Sequence, residues 1–490
     1  MNRLNSSLWL KDGMLPQFRR LEGNHQTEVA VVGAGITGIT TAYLLSNAGQ
    51  KVTVLDQRGL AGGESAYTTA HLTEILDDRY YQLEKWHGPK NARLVRESHA
   101  KAIDLIEEIV KKEQIDCDFE RVEGRLQFGP DEVEEMELEW EALQRLGLKK
   151  AKKEATNLII PNQAKFHPLK YLKALYEILE KRGVEFYETE VHSVEEHGPK
   201  VICEGDGATL SSLACVVATH SPFLNRLRLH TKLYPYLTYV VAAEVPKKSA
   251  QNELFWESSR AYHYVRSYEK SDSDVLMIGG EDHKCGQEEN PQRRFRRLEK
   301  WAIEHYPQIK QFDLHWSGQV LETMDGLAYI GKNPGSKNIY VATGFSGNGL
   351  TYGTLSALLI RDLILEKNNA WTRLYRPTRI NLYGLKTFVK ENTNVFLQFL
   401  KKFLPKPSTT IDIPTDEGKV IEQNSEKVAA YKDKDGKLHL YSAVCPHLGC
   451  IVNWNSSSKT WDCPCHGSRF TTEGKVLNGP AQEPLKKLTD

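Results

Sequence analysis

The sequence carries no excess of either charge: Lys and Arg total 64, and so do Asp and Glu. That balance excludes a global field for gathering nucleic acid or an anionic membrane, so partners must be recognised locally. No apolar run is long enough to cross a bilayer. The opening MNRLNSSLWLKDGMLPQF also lacks the uninterrupted apolar stretch of a secretory signal. The expectation is a soluble, cytoplasmic protein. Cysteine is sparse over most of the chain. Cys117, Cys203, Cys215 and Cys285 are scattered, as expected of inert core thiols, whereas Cys445, Cys450, Cys463 and Cys465 crowd together. In a cytoplasmic chain, crowding beside histidines favours a metal over a disulfide framework. At 490 residues the chain exceeds what one core usually organises, which fits one large unit and a small appendage.

What is present begins at residues 28–57. EVAVVGAGITGITTAYLLSNAGQKVTVLDQ reads as an apolar strand, a glycine turn, an amphipathic helix and a second apolar strand, which is one βαβ unit. Gly33 permits the tight turn, Gly35 lets a pyrophosphate approach the backbone, and Gly38 lets helix and strand pack closely. Asp56 ends the second strand about 20 residues on, where a ribose-binding carboxylate is expected. The unit predicts dinucleotide binding, but FAD and NAD share the fingerprint. Two more small-residue loops help the choice. Gly62, Gly63 and Ser65 in GLAGGESAYTTAHLT form one. NIYVATGFSGNGLTYGTLSALLI, near residue 340, gives a strand, a glycine-rich turn and a helix whose first amides would face a ligand.

Together with CVVATHSPF at 215–223 and DGLAYIG at 325–331, these segments resemble the glycine oxidase and sarcosine oxidase type of FAD-dependent amine and amino-acid oxidoreductases, over about Glu28 to Leu365. The resemblance implies FAD, with Gly344, Phe345, Gly347, Asn348, Gly349 and Leu350 around the isoalloxazine and Asp325 and Gly326 nearby. The fold expected is α/β. A FAD-binding Rossmann-like domain spans 1–385, its nucleotide-binding parts at about 25–100 and 320–370. Short β-like runs between them predict an inserted, mainly antiparallel substrate part at about 150–320. Related enzymes often hold a substrate carboxylate with an arginine among aromatics, which makes Arg266 beside Tyr262, His263 and Tyr264 the catalytic candidates. The alternative is an ordinary polar and aromatic alternation on a sheet face. His283 and Lys284 are further candidates, with a solvated turn as the simpler reading.

Residues 386–410 change character. Val395, Phe396, Phe399, Leu400, Phe403 and Leu404 recur at helical spacing, and five lysines (386, 390, 401, 402 and 406) face one acid, Glu391. Such a helix at 386–404 suits the surface of an anionic membrane, at the inner face. The favoured alternative is that its apolar face packs across the large domain and positions the next. Pro405 and Pro407 then end it, and PKPSTT reads as a short stiff spacer.

At the C-terminus, Cys445 and His447 form a Cys-x-His pair, and Cys463 and His466 a Cys-x-x-His pair. Two thiolates and two imidazoles suit a [2Fe–2S] cluster with the histidines on one iron. Cys445 and Cys463 would hold the inner iron, and His447 and His466 the outer, more exposed one. A structural zinc site is the alternative, but zinc sites usually begin Cys-x(2–4)-Cys and need only four ligands, which leaves Cys450 and Cys465 over. The segment from about Ile411 to Asp490 resembles the Rieske proteins of cytochrome bc-type complexes, through CPHLGC and CPCHGS. That resemblance implies a small all-β domain over 411–490 and a Cys450–Cys465 disulfide. It also implies a hydrogen bond from Ser468 to a bridging sulfide and a covering loop at Gly479, Pro480 and Ala481. Phe470 stands where the family has a tyrosine, which predicts a lower potential.

Flavin chemistry moves two electrons and a [2Fe–2S] cluster one. The fusion therefore predicts a dehydrogenase for a small amine or amino acid that passes electrons onward to a protein or quinone acceptor. The alternative is a redox sensor or electron carrier without organic turnover. No second nucleotide fingerprint and no mononuclear-iron triad stands out.

Overall fold

The computed structural model describes residues 6–11, 13–224, 229–259, 262–403 and 413–488. The spacer Pro405–Thr410 and Leu404 lie outside the described residues.

Among the described residues the large unit has three sheets, two large ones and a four-stranded one of Val191–His197, Lys200–Gly205, Ala208–Ser212 and Asn24–Gln26. The first has seven strands in the order Arg19–Arg20, Glu185–Glu188, Val52–Asp56, Val29–Val32, Ala214–Val217, Ile339–Thr343 and Tyr329–Lys332. Neighbours run parallel except the last pair. Its central strands are apolar on both faces and buried throughout, which suits a parallel sheet covered by helices on each side. The helices Ile36–Ser46 and Gly349–Ile364 pack together on one side so closely that a Cβ on Gly353 would come within 2.7 Å of Ile36 Cγ2.

The second sheet is mainly antiparallel, and its strands Leu314–Thr323, Leu233–Pro246, Ser273–Lys284 and Tyr264–Glu269 stand side by side. It reaches further than the expected 150–320, taking in His71–Leu72 and Glu120–Gln127. Conversely, Glu185–Glu188 and Ala214–Val217 lie within that range yet belong to the nucleotide sheet. The chain crosses between the sheets several times, so the two parts interleave in sequence.

The C-terminal unit has a three-stranded sheet, Glu417–Gln423, Glu426–Lys432 and Leu438–Ser442. Beside it lies a four-stranded one, Asn453–Asn455, Thr460–Asp462, Arg469–Phe470 and Val476–Asn478. Trp461 and Phe470 are fully buried partners in the second, packed in one core with Cys445, Cys450, Cys463 and Cys465. The helix Leu385–Leu400 joins the two units.

Candidate functional site

The glycine turn after Val32 is shaped by contacts that exclude side chains. Gly33 has φ +113°, and a Cβ there would sit 2.5 Å from Ala218 O; a Cβ on Gly38 would sit 1.8 Å from Gly33 O. Ser65 Oγ accepts from Ile36 N at 3.0 Å, pinning the second small-residue loop to the helix N-terminus. Asp56 closes the turn, accepting from Ala34 N and Arg58 N, both at 2.8 Å. Burial raises its pKa, and those two amides oppose the rise.

One cavity of about 630 Å³ gathers Gly33, Gly35, Asp56, Gly63 and Ser65 from this end and Phe345, Gly347, Asn348, Gly349 and Leu350 from the other. Two helix N-termini, at Ile36 and Gly349, therefore open onto the same space, an arrangement that stabilises anionic phosphate. Gly347 N donates to Asp77 Oδ2 at 2.8 Å, and a Cβ on Gly347 would meet the same oxygen.

Five expected residues lie outside the cavity lining, among them Gly62, packed against Arg58. Gly38 and Gly344 serve packing; Gly344 has φ +76°, and its Cβ would come 2.4 Å from Thr323 Cγ2. Gly326 is packed against Asp78. Asp325 is spent on an ion pair with Arg379, 2.6 Å apart and buried on both sides.

The catalytic candidates divide similarly. Tyr262 and Tyr264 line the cavity, and Tyr262 OH donates to Asp77 Oδ1 at 2.9 Å. Tyr264 lies flat across Gly279 of the neighbouring strand, where any Cβ would strike its ring at about 2.1 Å. Arg266 is on the same strand but past the cavity's end. Its Nη1 donates to Thr69 O and Ala70 O at 2.9 and 2.8 Å, its guanidinium rests over Trp9, and burial lowers its pKa to about 9. Nη1 thus holds the chain, buried Nε has no hydrogen-bond partner among the described residues, and Arg266 is not part of the cavity lining. His263 stacks on Trp301 and pairs with Glu257. His283 is bonded to Tyr239 OH and Lys284 O, and Lys284 pairs with Glu391.

The cavity wall holds groups the sequence did not point to. Asp77, Asp282 and Glu322 line it, with Tyr236, Thr238 and Trp256. Asp282, Thr238 and Glu322 come from three adjacent strands. Pairing of Tyr236 with Val320 and Lys284 puts their side chains on one sheet face. Burial pushes the Asp282 pKa up to about 7, and burial plus the charges of Asp78 and Asp77 pushes Glu322 to about 8. Among the described residues neither has an Arg, Lys or His within ion-pair distance. Arg294 opposes the rise at Asp282, and Arg79, on the cavity wall, donates to Leu76 O and Glu257 O.

The cluster loops are two tight turns. Cys445 N donates to Cys450 O at 2.8 Å, and Cys463 N to Ser468 O at 2.8 Å. The thiols of Cys445 and Cys463 point at each other, so the hydrogen bond from Cys463 favours ionisation of Cys445. Cys450 and Cys465 form a disulfide. The His447 and His466 rings are 5.0 Å apart, and buried His466 Nδ1 has no hydrogen-bond partner among the described residues. Burial lowers the His466 pKa to about 4, which keeps the ring in its neutral, metal-ligating form. Two facing thiols, a disulfide tying the loops and an orphaned imidazole nitrogen fit a Cys₂His₂ cluster. Ser468 Oγ accepts from Ala481 N at 3.0 Å, fastening the covering loop.

The histidine edge is not the exposed face expected. His447 is 6% exposed, because the large unit packs against it: the His230 ring lies 5.1 Å from His447 and 6.5 Å from His466. Gln319, a cavity residue, donates to Gly467 O at 2.7 Å, and Asn478 donates to Glu64 at 2.8 Å. Val476 to Gly479, with Ala481 and Gln482, complete the wall of the glycine-lined cavity, so both units build one site.

A model of the family described as FAD dependent oxidoreductase matches residues 28–363, and one described as Rieske [2Fe-2S] domain matches residues 407–489. The Rieske 2Fe-2S iron-sulfur protein YhfW of Bacillus subtilis (strain 168) is 34% identical over 497 residues, covering 98% of this chain and 97% of that protein. Gamma-glutamylputrescine oxidoreductase of Escherichia coli (strain K12) is 24% identical over 369 residues, 71% of this chain and 85% of its own length. Among solved structures, glycine oxidase from Geobacillus kaustophilus shares the fold at TM-score 0.60 and 20% identity, over 73% of this chain and 99% of that one.

Proposed function

This chain belongs to the FAD dependent oxidoreductase family and carries a Rieske [2Fe-2S] domain, and from that premise we propose that it dehydrogenates a small amine or amino acid and delivers the electrons to an external protein or quinone acceptor. It is an enzyme that binds FAD and a [2Fe–2S] cluster. When bound, FAD takes two electrons from the substrate as hydride, and the cluster carries electrons singly.

The observation that supports this reading is the shared cavity. Residues 476–479 of the small domain and the turns at Gly33 and Gly349 wall the same space, and the cluster's histidines face the large unit at His230. Gly33, Gly35, Gly63, Ser65 and Gly347 to Leu350 would hold the flavin nucleotide. Cys445, Cys463, His447 and His466 would hold the cluster. Anaerobic titration of the loaded protein with candidate amines and amino acids, followed by absorbance and EPR, tests the coupling. Flavin bleaching and the reduced-cluster signal are expected to rise together. Bleaching without a cluster signal would count against it.

Within that class, the cavity favours a cationic amine over an amino acid. Asp282 and Glu322 present carboxyls that form no ion pair among the described residues, flanked by Tyr236, Tyr264 and Trp256, whose faces also attract cations. A substrate carboxylate would meet repulsion there, since the candidate arginine is held behind the wall. The E. coli relative is named for an amine substrate, the structural neighbour for glycine. Both raised carboxyls are protonated in acid and ionise as pH rises through about 7 and about 8. They therefore cost stability as pH climbs from the unfolded carboxyl value of about 4 up to those values, and add affinity for a cation as they ionise through about 7 and about 8. The expected result is a KM for the amine that falls across that window. Glu322→Gln should raise KM about tenfold, the scale of one charge-assisted hydrogen bond, and flatten the profile. Steady-state kinetics against pH checks both.

A further inference from the structure

The helix Leu385–Leu400 is amphipathic in the wrong sense for a helix that packs on a protein. Its buried residues are Glu391 and Gln398. Glu391 pairs with Lys284, Asn394 accepts from Gln287 at 2.8 Å, and Asn392 donates to Thr231 O at 2.9 Å. The polar side thus meets the large unit. Val395 and Phe399 turn toward the core of the small domain. The remaining apolar residues point out: Leu385 is 53% exposed, Val389 56%, Phe396 59% and Leu397 54%. Phe403 beyond the helix is 70% exposed, and Ile380 and Leu382 before it are 81% each. The expected packing of Phe396, Leu400 and Phe403 across the large domain is therefore absent, because ion pairs and amide hydrogen bonds hold the opposite face.

A stripe of that size in water marks a surface awaiting a partner. The charge around it has one sign. Lys386, Lys390 and Lys401 are exposed, and Glu391, the one acid between 380 and 403, is buried in its ion pair. Apolar side chains ringed by unopposed lysines on a helix of 16 residues match an element lying in the plane of an anionic bilayer surface. The helix is about 24 Å long and its apolar side chains project from one face, so it can lie flat. No helix of the described residues is long and apolar enough to cross a membrane.

We propose that the face formed by Ile380 to Phe403 docks this protein onto anionic lipid. The docked face adjoins the cluster loops: a Cβ on Gly449 would lie 3.8 Å from Lys402 Nζ and 3.9 Å from Phe399. The neighbouring Leu448 is itself 40% exposed. Docking would bring the Cys450–Cys465 disulfide, whose Cys465 Sγ lies 3.8 Å from Val395 O of the helix, close to the membrane. This goes beyond the catalytic reading and does not depend on it.

Flotation of the full-length, cofactor-loaded protein with vesicles tests the proposal. Binding is expected to phosphatidylglycerol-containing vesicles, not to pure phosphatidylcholine, and to weaken as salt rises. Replacing Lys386, Lys390 and Lys401 together by alanine should weaken partition about 100-fold, near fivefold for each charge. Phe396→Ser with Leu400→Ser should also abolish flotation while leaving flavin absorbance and the thermal melt unchanged, because both side chains are exposed. Failure to float with anionic vesicles would overturn the proposal, as would unchanged flotation of the lysine variant. So would sedimentation velocity giving a dimer that Phe396→Ser dissociates, since a second copy would then be the occupant.

Discussion

Cys445→Ser is expected to leave a yellow protein that has lost its iron and inorganic sulfide. Cys445 is 1% exposed and faces Cys463 across the space between two hydrogen-bonded turns, so a hydroxyl there replaces a thiolate ligand at nearly constant shape. Residues behind metal ligands commonly change affinity by about 10- to 100-fold, and loss of a ligand should exceed that range. Ligation in small metal domains is also folding energy. The core beside the cluster contains the four cysteine side chains, Trp461 and Phe470, so losing the cluster should loosen the whole C-terminal unit. Its contacts with the large unit, Gln319 to Gly467 and Asn478 to Glu64, should weaken with it. The glycine turns and helix N-termini that would hold the nucleotide lie mostly in the large unit, so flavin content should stay near wild type. Iron and sulfide assays, EPR of the reduced protein and the flavin-to-protein absorbance ratio check each part. Zinc without sulfide in the wild-type protein would overturn the assignment.

Legibility followed sequence distance. The turn at Gly33 to Gly38 and the two cluster loops are local motifs whose residues fold against one another. Their spacing therefore carried their geometry. Asp282 and Glu322 come from separated strands and share a wall through strand pairing, and Asp77 joins them from the loop before the helix Tyr80–His87. Finding them needed the register that sets Tyr236 opposite Val320 and Lys284. Arg266 lies off the cavity lining for a related reason. It is two residues from Tyr264 on one strand, as the alternation implied, but the segment at Thr69 and Ala70 takes the donors of its Nη1. The helix at 385–400 was readable as a helix, whereas which side met the protein was not. Apolar spacing predicts burial of the apolar face, and here ion pairing of Glu391 with Lys284, a residue 107 positions away, set the opposite orientation. The exposed histidine edge failed as an expectation because the resemblance covers an isolated domain, and here His230 of a second unit covers that edge.

Asp325→Ala should be among the most destabilising substitutions in the large unit, and it should act on stability more than on flavin binding. The resemblance places Asp325 near the flavin, yet its carboxylate forms a two-point ion pair with Arg379, Nε to Oδ2 at 2.8 Å and Nη2 to Oδ1 at 2.6 Å. The side chains are 1% and 8% exposed. Burial alone would push the Asp325 pKa up, but the guanidinium holds it below the ordinary carboxylate range. A depressed carboxylate contributes stability above its unfolded pKa of about 3.9 and loses it as pH falls through the folded value. Removing the acid strands a buried cation, a change that costs about 3–5 kcal/mol. In a chain of this size that corresponds to a fall in melting temperature of about 3–5 °C. Arg379 also donates to Ala328 O and lies over Tyr329, and Lys232 donates to Arg379 O, so the loss should loosen the segment that leads into the helix at 385. Replacing both partners, Asp325→Leu with Arg379→Met, should recover much of the loss, because a buried ion pair exchanged for apolar side chains is often neutral. Thermal melts of the single and double variants, with flavin affinity measured below the transition, separate the two roles. A weakened flavin affinity with an unchanged melt would return Asp325 to the cofactor site.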